Sequence, residues 1–105
     1  MNYPGMLHPE VETLSPKEMR ALQEKRWVDQ RSYLINNSEF YKAKYGDKLN
    51  DSLTLDGLQD LELTDKEELR ASQEESAFGT YAACDEDTVA RIHRTSGTTG
   101  RALIL

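Results

Sequence analysis

The sequence predicts an α+β fold in two unequal parts of one domain: a mainly helical stretch over residues 1–76, then a strand–loop–strand unit over residues 77–105. Three observations lead there. Capping-box patterns stand at Ser15 and Thr64, each ahead of residues at helical spacing. The run Thr88-Val89-Ala90-Arg91-Ile92-His93-Arg94 alternates and is rich in β-branched side chains, as strands are. Between it and the apolar Ala102-Leu103-Ile104-Leu105 lies a segment, Thr95 to Gly100, built only of Thr, Ser and Gly. A hairpin without further strands is marginal in water. The fold is therefore expected to be incomplete as it stands, its sheet finished by further sequence or by a partner.

The elements follow in order. Residues 1–14, with Pro4 and Pro9, read as an irregular lead-in. Ser15-Pro16-Lys17-Glu18 starts a helix: Ser15 caps, Pro16 suits the first helical position, and Glu18 completes the capping box. Met19, Leu22, Trp27, Leu34 and Ile35 recur at roughly helical spacing, so one amphipathic helix runs to Asn36-Asn37, with Trp27 in the core. Ser38 caps a short second helix that Gly46 ends after Tyr45. Phe40, Tyr41 and Tyr45 form its apolar side. Residues 47–54 are a polar connector, and a weak helical turn covers Leu55 to Leu61. Thr64-Asp65-Lys66-Glu67 opens a further helix through about Gln73. The two strands and their loop complete the chain.

Composition excludes several function classes. Thirteen basic against nineteen acidic residues give a net charge of −6 with no basic stripe, so neither nucleic acid nor an anionic membrane surface is an expected partner. Cys84 is the single cysteine, which rules out an internal disulfide. With only His8 and His93 beside it, a four-ligand zinc site is not expected either. The N-terminus lacks a signal-peptide pattern, and no stretch has the length of a membrane span. A reducing, cytoplasmic setting is the expectation. Cys84 reads as a small buried apolar residue, and His93 as a packed or hydrogen-bonded strand residue. Asp85-Glu86-Asp87 reads as a solvated turn, because adjacent carboxylates do not converge on a metal without other ligands. No metal site and no catalytic residue is assigned.

The chemistry sits in Thr95-Ser96-Gly97-Thr98-Thr99-Gly100-Arg101. The two glycines permit positive φ and close approach of backbone N–H groups to a ligand. Ser96, Thr98 and Thr99 add hydroxyl donors, and Arg101 adds a fixed positive charge. Together they suit a nest of donors around a phosphate. This is not a Walker loop, since the lysine and the following helix are missing.

The order Arg91-Ile92-His93-Arg94-Thr95-Ser96-Gly97-Thr98-Thr99-Gly100-Arg101 closely resembles the phosphate-loop signature of the phenylacetate–CoA ligase family, within the adenylate-forming superfamily. Upstream, Asn37-Ser38-Glu39-Phe40-Tyr41 resembles the family's Asn-x-Pro-Phe-Tyr stretch. Leu63 to Arg70 resembles its Thr-x-Lys-x-x-Leu-Arg stretch, and Phe78-Gly79 fits the position before the strand. The resemblance runs from about residue 10 onward. It implies an N-terminal part of an AMP-binding domain in an ATP-dependent acyl- or aryl-CoA ligase. Such enzymes join a carboxylic acid to AMP and pass the acyl group to coenzyme A. Thr95, Ser96, Gly97, Thr98, Thr99, Gly100 and Arg101 would hold the ATP β- and γ-phosphates. ATP, Mg²⁺ and coenzyme A are the implied cofactors, the last two bound outside this chain.

The chain departs from the pattern where Arg101-Ala102 replaces the usual Lys-Pro, which swaps a point charge for a planar fork. The adenine pocket, acyl pocket and C-terminal lid have no counterpart here, so the isolated chain is expected to be inactive. The alternative readings are a non-catalytic remnant that binds anions or a partner, and one half of a split enzyme whose other part is a second chain.

Overall fold

The computed structural model describes residues 4–97 and 100–105. Among these are four helices: α1 (Pro9–Glu12), α2 (Pro16–Asn37), α3 (Glu39–Tyr45) and α4 (Lys66–Gln73). Single 3-10 turns lie at Gly46–Lys48, Asp56–Asp60 and Glu86–Thr88.

The helix starts are made by local side-chain chemistry. At α2 the Ser15 hydroxyl accepts from the Glu18 amide at 3.3 Å, and the Glu18 carboxylate accepts from the Ser15 amide at 2.9 Å. Two orphan donors of the first turn are thus satisfied together. Ser38 leaves the helical region at φ −93° and ψ 101°, which stops α2, and its hydroxyl accepts from the Tyr41 amide, which starts α3. Gly46 then ends α3 at φ 53°, a conformation that glycine adopts without a steric penalty.

Three local expectations change. The lead-in is not wholly irregular, because Pro9–Glu12 forms the short α1, with the Glu12 carboxylate accepting from the His8 amide at 2.6 Å. The cap of α4 is Asp65, not Thr64, and its partner is Glu68, not Glu67. Thr64 is engaged elsewhere: its hydroxyl lies 3.3 Å from Lys44 Nζ, which also donates to both Glu68 oxygens at 2.7 and 2.9 Å. That ion pair ties α3 to α4 and favours the register in which Glu68 turns toward both Asp65 and Lys44. Thirdly, the run from Thr88 to Arg94 does not form a continuous strand. Thr88 belongs to a 3-10 turn, and pairing is confined to residues 93–95 against 103–105 around an antiparallel Arg94–Ile104 bridge. His93 and Leu105 exchange both backbone bonds, at 2.9 and 2.7 Å, and the Thr95 amide donates to the Leu103 carbonyl at 2.9 Å. A two-stranded ribbon with no third strand beside it pairs over only this short length.

The helices are present, but they enclose little. The Cα radius of gyration is 17.2 Å, against about 13 Å for a compact chain of this size. Leu49 and Leu103 are the buried apolar residues among those described. No residue of α2 is fully buried, and its Val28 and Tyr33 are exposed. Trp27 is half-buried rather than central, with its indole N–H donating to the Leu53 carbonyl at 2.8 Å. Tyr41 and Tyr45 stack at 5.6 Å between centroids, and Phe40 meets Tyr41 edge-on at 5.2 Å. Together with Trp27, Leu34, Leu58 and Leu61, the two tyrosines line an apolar groove of about 420 Å³ that the chain leaves open.

Candidate functional site

The loop of residues 95–101 joins the two arms of the short ribbon. Thr98 and Thr99, two of its expected donors, lie outside the described residues. Gly97 has φ 69°, and its carbonyl accepts from the Gly100 amide at 3.3 Å, so the loop turns back on itself. A Cβ at Gly97 would stand 3.0 Å from the Gly100 oxygen and 3.2 Å from the Ala102 nitrogen. Glycine is needed here for both conformation and space. Gly100, at φ 154°, has open space where a Cβ would stand. Ser96 and Arg101 are exposed, whereas Thr95 is half-buried.

Thr95 has a structural task within the loop. Its hydroxyl accepts from the Leu103 amide at 2.9 Å, closing the ribbon at the loop's base. Residues 88–105 carry three arginines and no carboxylate side chain in an otherwise acidic chain. Arg91, Arg94 and Arg101 are exposed and take no part in ion pairs among the described residues. Asp85, Glu86 and Asp87 sit in the turn before the ribbon, and no group of three or more His, Cys, Asp or Glu side chains that could hold a metal is found among the described residues. His93 pairs through its backbone with Leu105, and Cys84 is exposed rather than buried.

The exit arm of the loop is held from its other side by α4 and by the turn that follows it. Arg70 Nε donates to the Arg101 carbonyl at 3.1 Å, and the same guanidinium contacts Glu67. Gln73, only 4% exposed, donates from Nε2 to the Ala102 carbonyl at 3.2 Å and accepts at Oε1 from the Ile104 amide at 2.8 Å. Tyr81 Oη lies 2.7 Å from Gln73 Oε1 and 2.6 Å from the Ile104 carbonyl, so its single proton serves one of these acceptors at a time. Burial pushes the Tyr81 phenol above its ordinary value, which keeps that proton in place. The turn bearing Tyr81 is itself fixed. The buried Ser72 hydroxyl accepts from the Thr80 amide at 3.1 Å, and the Thr80 carbonyl accepts from the Phe40 amide at 3.3 Å. Gly79 sits at φ 82° with a Cβ position 2.4 Å from the Tyr81 ring, so only glycine fits.

No family model matches the chain. Over 103 residues, however, it is 36% identical to the phenylacetate–coenzyme A ligase of Thermus thermophilus, a match that covers 95% of this chain. The chain is a relative of phenylacetate–CoA ligase. It spans 22% of the length of that relative.

The ligase-like segments read from the sequence are joined in space. Phe40, from the first, bonds to Thr80, beside the Phe78-Gly79 pair. Arg70, which closes the second, bonds to Arg101 at the end of the loop. Sequence reasoning named these segments but missed Ser72, Gln73 and Tyr81. Gln73 carried no signal beyond marking a helix end, since its partners are backbone atoms 29 and 31 residues away. The glycine just ahead of Tyr81 was the available hint that the turn is tightly packed.

Proposed function

We propose that the chain is the amino-terminal segment of an ATP-dependent acyl- or aryl-CoA ligase, the part of an AMP-binding domain that comprises a helical lead-in (1–76) and a strand–phosphate loop–strand unit (77–105). The observation that carries this reading is the pairing of a ligase relative with a glycine-turned loop whose end holds an exposed arginine with no ion pair among the described residues. In the reaction a carboxylate attacks the α-phosphate of ATP, and coenzyme A thiol then displaces AMP from the acyl-adenylate. Charge builds on the departing pyrophosphate, so donors fixed beforehand around its oxygens lower the barrier. Gly97 and Gly100 give the backbone N–H groups access to those oxygens. Ser96, Thr98 and Thr99 supply hydroxyl donors, and Thr95 closes the loop's base. Arg101 supplies charge, its planar fork matching two phosphate oxygens where a lysine would meet them as a point. Mg²⁺ bound with ATP would neutralise charge on the same phosphates. The loop contains no carboxylate, so it offers no acidic ligand to the metal. The chain alone does not ligate.

The open apolar groove and the scarcity of buried side chains favour a chain that works within a larger enzyme over a free-standing binding module. The test is a chimera in which these residues replace the matching segment of the Thermus ligase. AMP release that requires phenylacetate, ATP and coenzyme A supports the reading. A chimera that is folded and monodisperse yet yields no AMP contradicts it.

A further inference from the structure

The most unusual contact in the molecule is the one Gln73 makes with residues 102–104. In a parallel sheet, a residue donates to the carbonyl before the residue opposite it and accepts from the amide after it. The Gln73 side-chain amide does both, with Leu103 as the residue opposite: Nε2 donates to the Ala102 carbonyl and Oε1 accepts from the Ile104 amide. One buried side chain thus acts as one residue of a neighbouring strand. Tyr81 extends the imitation by reaching the Ile104 carbonyl, and Arg70 holds the Arg101 carbonyl one step nearer the loop. On its opposite side the same arm pairs with His93 and Thr95. The loop's exit is therefore gripped from both sides, while the side facing α4 is sealed by side chains rather than by a strand.

We infer that Gln73 and Tyr81 are positioning residues for the loop. They fix the arm that follows Arg101, and so set where the Arg101 charge and the Gly100 amide stand. The functional half of this inference rests on the phosphate-binding reading. Gln73 suits the task because its amide offers a donor and an acceptor in one plane, which no apolar side chain of similar size can do. Its burial removes competing water.

The experiment uses the ¹⁵N-labelled chain and three variants. Gln73→Met keeps the volume and loses both bonds, Gln73→Glu keeps the acceptor and loses the donor, and Tyr81→Phe removes the hydroxyl. Amide exchange at Ile104 is measured first. Inorganic pyrophosphate is then titrated while Gly97, Gly100 and Arg101 are followed. Gln73→Met should speed Ile104 exchange about fivefold, the value of one ordinary hydrogen bond. Gln73→Glu keeps an acceptor for the Ile104 amide but sets a second oxygen against the Ala102 carbonyl, so its protection should fall below that of the unmodified chain. Gln73→Met should also weaken pyrophosphate binding several-fold while the helical melting midpoint stays within a few degrees, which a purely structural residue would not do. If Gln73→Met does not fold, Tyr81→Phe gives the same reading with a smaller change. Unchanged Ile104 exchange and unchanged loop signals in the variants overturn the inference. If pyrophosphate moves no loop signal in the unmodified chain, the phosphate reading fails, and exchange alone then decides whether Gln73 holds the arm.

Discussion

The helical region and the loop-bearing end are built in opposite ways. From Ser15 to Gln73 the helix starts are set by bonds between residues three apart, Ser15 with Glu18, Ser38 with Tyr41 and Asp65 with Glu68, and longer-range bonds such as Lys44 with Glu68 and Trp27 with Leu53 tie the helices to their neighbours. These helices form readily but pack loosely, and no residue of α2 is fully buried. From Thr95 to Leu105 the backbone pairs only over the short ribbon, and the arm's other side is held by Arg70, Gln73 and Tyr81, which bond to backbone atoms 23 to 31 residues away. Regular structure and precise placement thus reside in different parts of this molecule. The arm that follows residues 95–101 is held by distant side chains from α4 and from the turn after it.

Breaking the loop-bearing end should have the larger effect. Leu103 is 2% exposed and is the apolar anchor of the exit arm. Leu103→Ala should cost about 3 kcal/mol through lost burial and the cavity left behind. Urea denaturation followed by the amide signals of residues 93–105 would show the loss there first. Equal loss throughout the helices would erase the distinction between the two regions.

A smaller effect is expected where order is local. Ser15→Ala removes the α2 cap and should cost about 1 kcal/mol. Far-ultraviolet circular dichroism would report earlier melting, while the signals of Gly97 and Gly100 stay in place. Movement of those signals would mean that the α2 start and the loop are coupled.

The mildest test is pH. Hydrogen bonding to Lys44, and then to the Asp65 amide, holds the Glu68 carboxyl below the ordinary glutamate value of 4.5. Ser15 does the same for Glu18. Depressed carboxyls add stability that is full above 4.5 and is lost as pH falls through their lower folded values. Burial opposes the charge on Lys44, but the Glu68 carboxylate outweighs it, so the ammonium is raised above 10.5. Its contribution is full below 10.5 and fades as pH rises through the higher folded value. Helicity should therefore hold between these limits and decline first on the acid side. Lys44→Met should flatten the acid decline, and an unchanged profile in that variant would remove the α3–α4 ion pair from the account.

The same contrast explains what the sequence made legible. Caps and helix ends are written in neighbouring residues, and Ser15, Ser38 and Gly46 were read at the positions they occupy. Where two residues competed for one cap, as Thr64 and Asp65 do, the winner depended on Lys44, which is distant in sequence, and the reading slipped by one residue. The run from Thr88 to Arg94 has strand composition, yet composition does not supply a neighbour to pair with, and Thr88 turned instead. Within the loop, the glycines were legible because chain geometry demands them. The Gln73–Tyr81 grip was not, since a glutamine that binds backbone atoms leaves no pattern in one sequence.

The loop ending in Arg101 is proposed to bind phosphate. The most direct measurement is titration of the unmodified ¹⁵N-labelled chain with inorganic pyrophosphate, with Arg101→Ala as the comparison. The account predicts shifts confined to Gly97, Gly100, Arg101 and their neighbours. They should saturate on the order of 1 mM, as a weak site of about 4 kcal/mol does, shrink with added salt, and vanish in Arg101→Ala. Loop signals that stay still, or shifts that persist unchanged in Arg101→Ala, would contradict it.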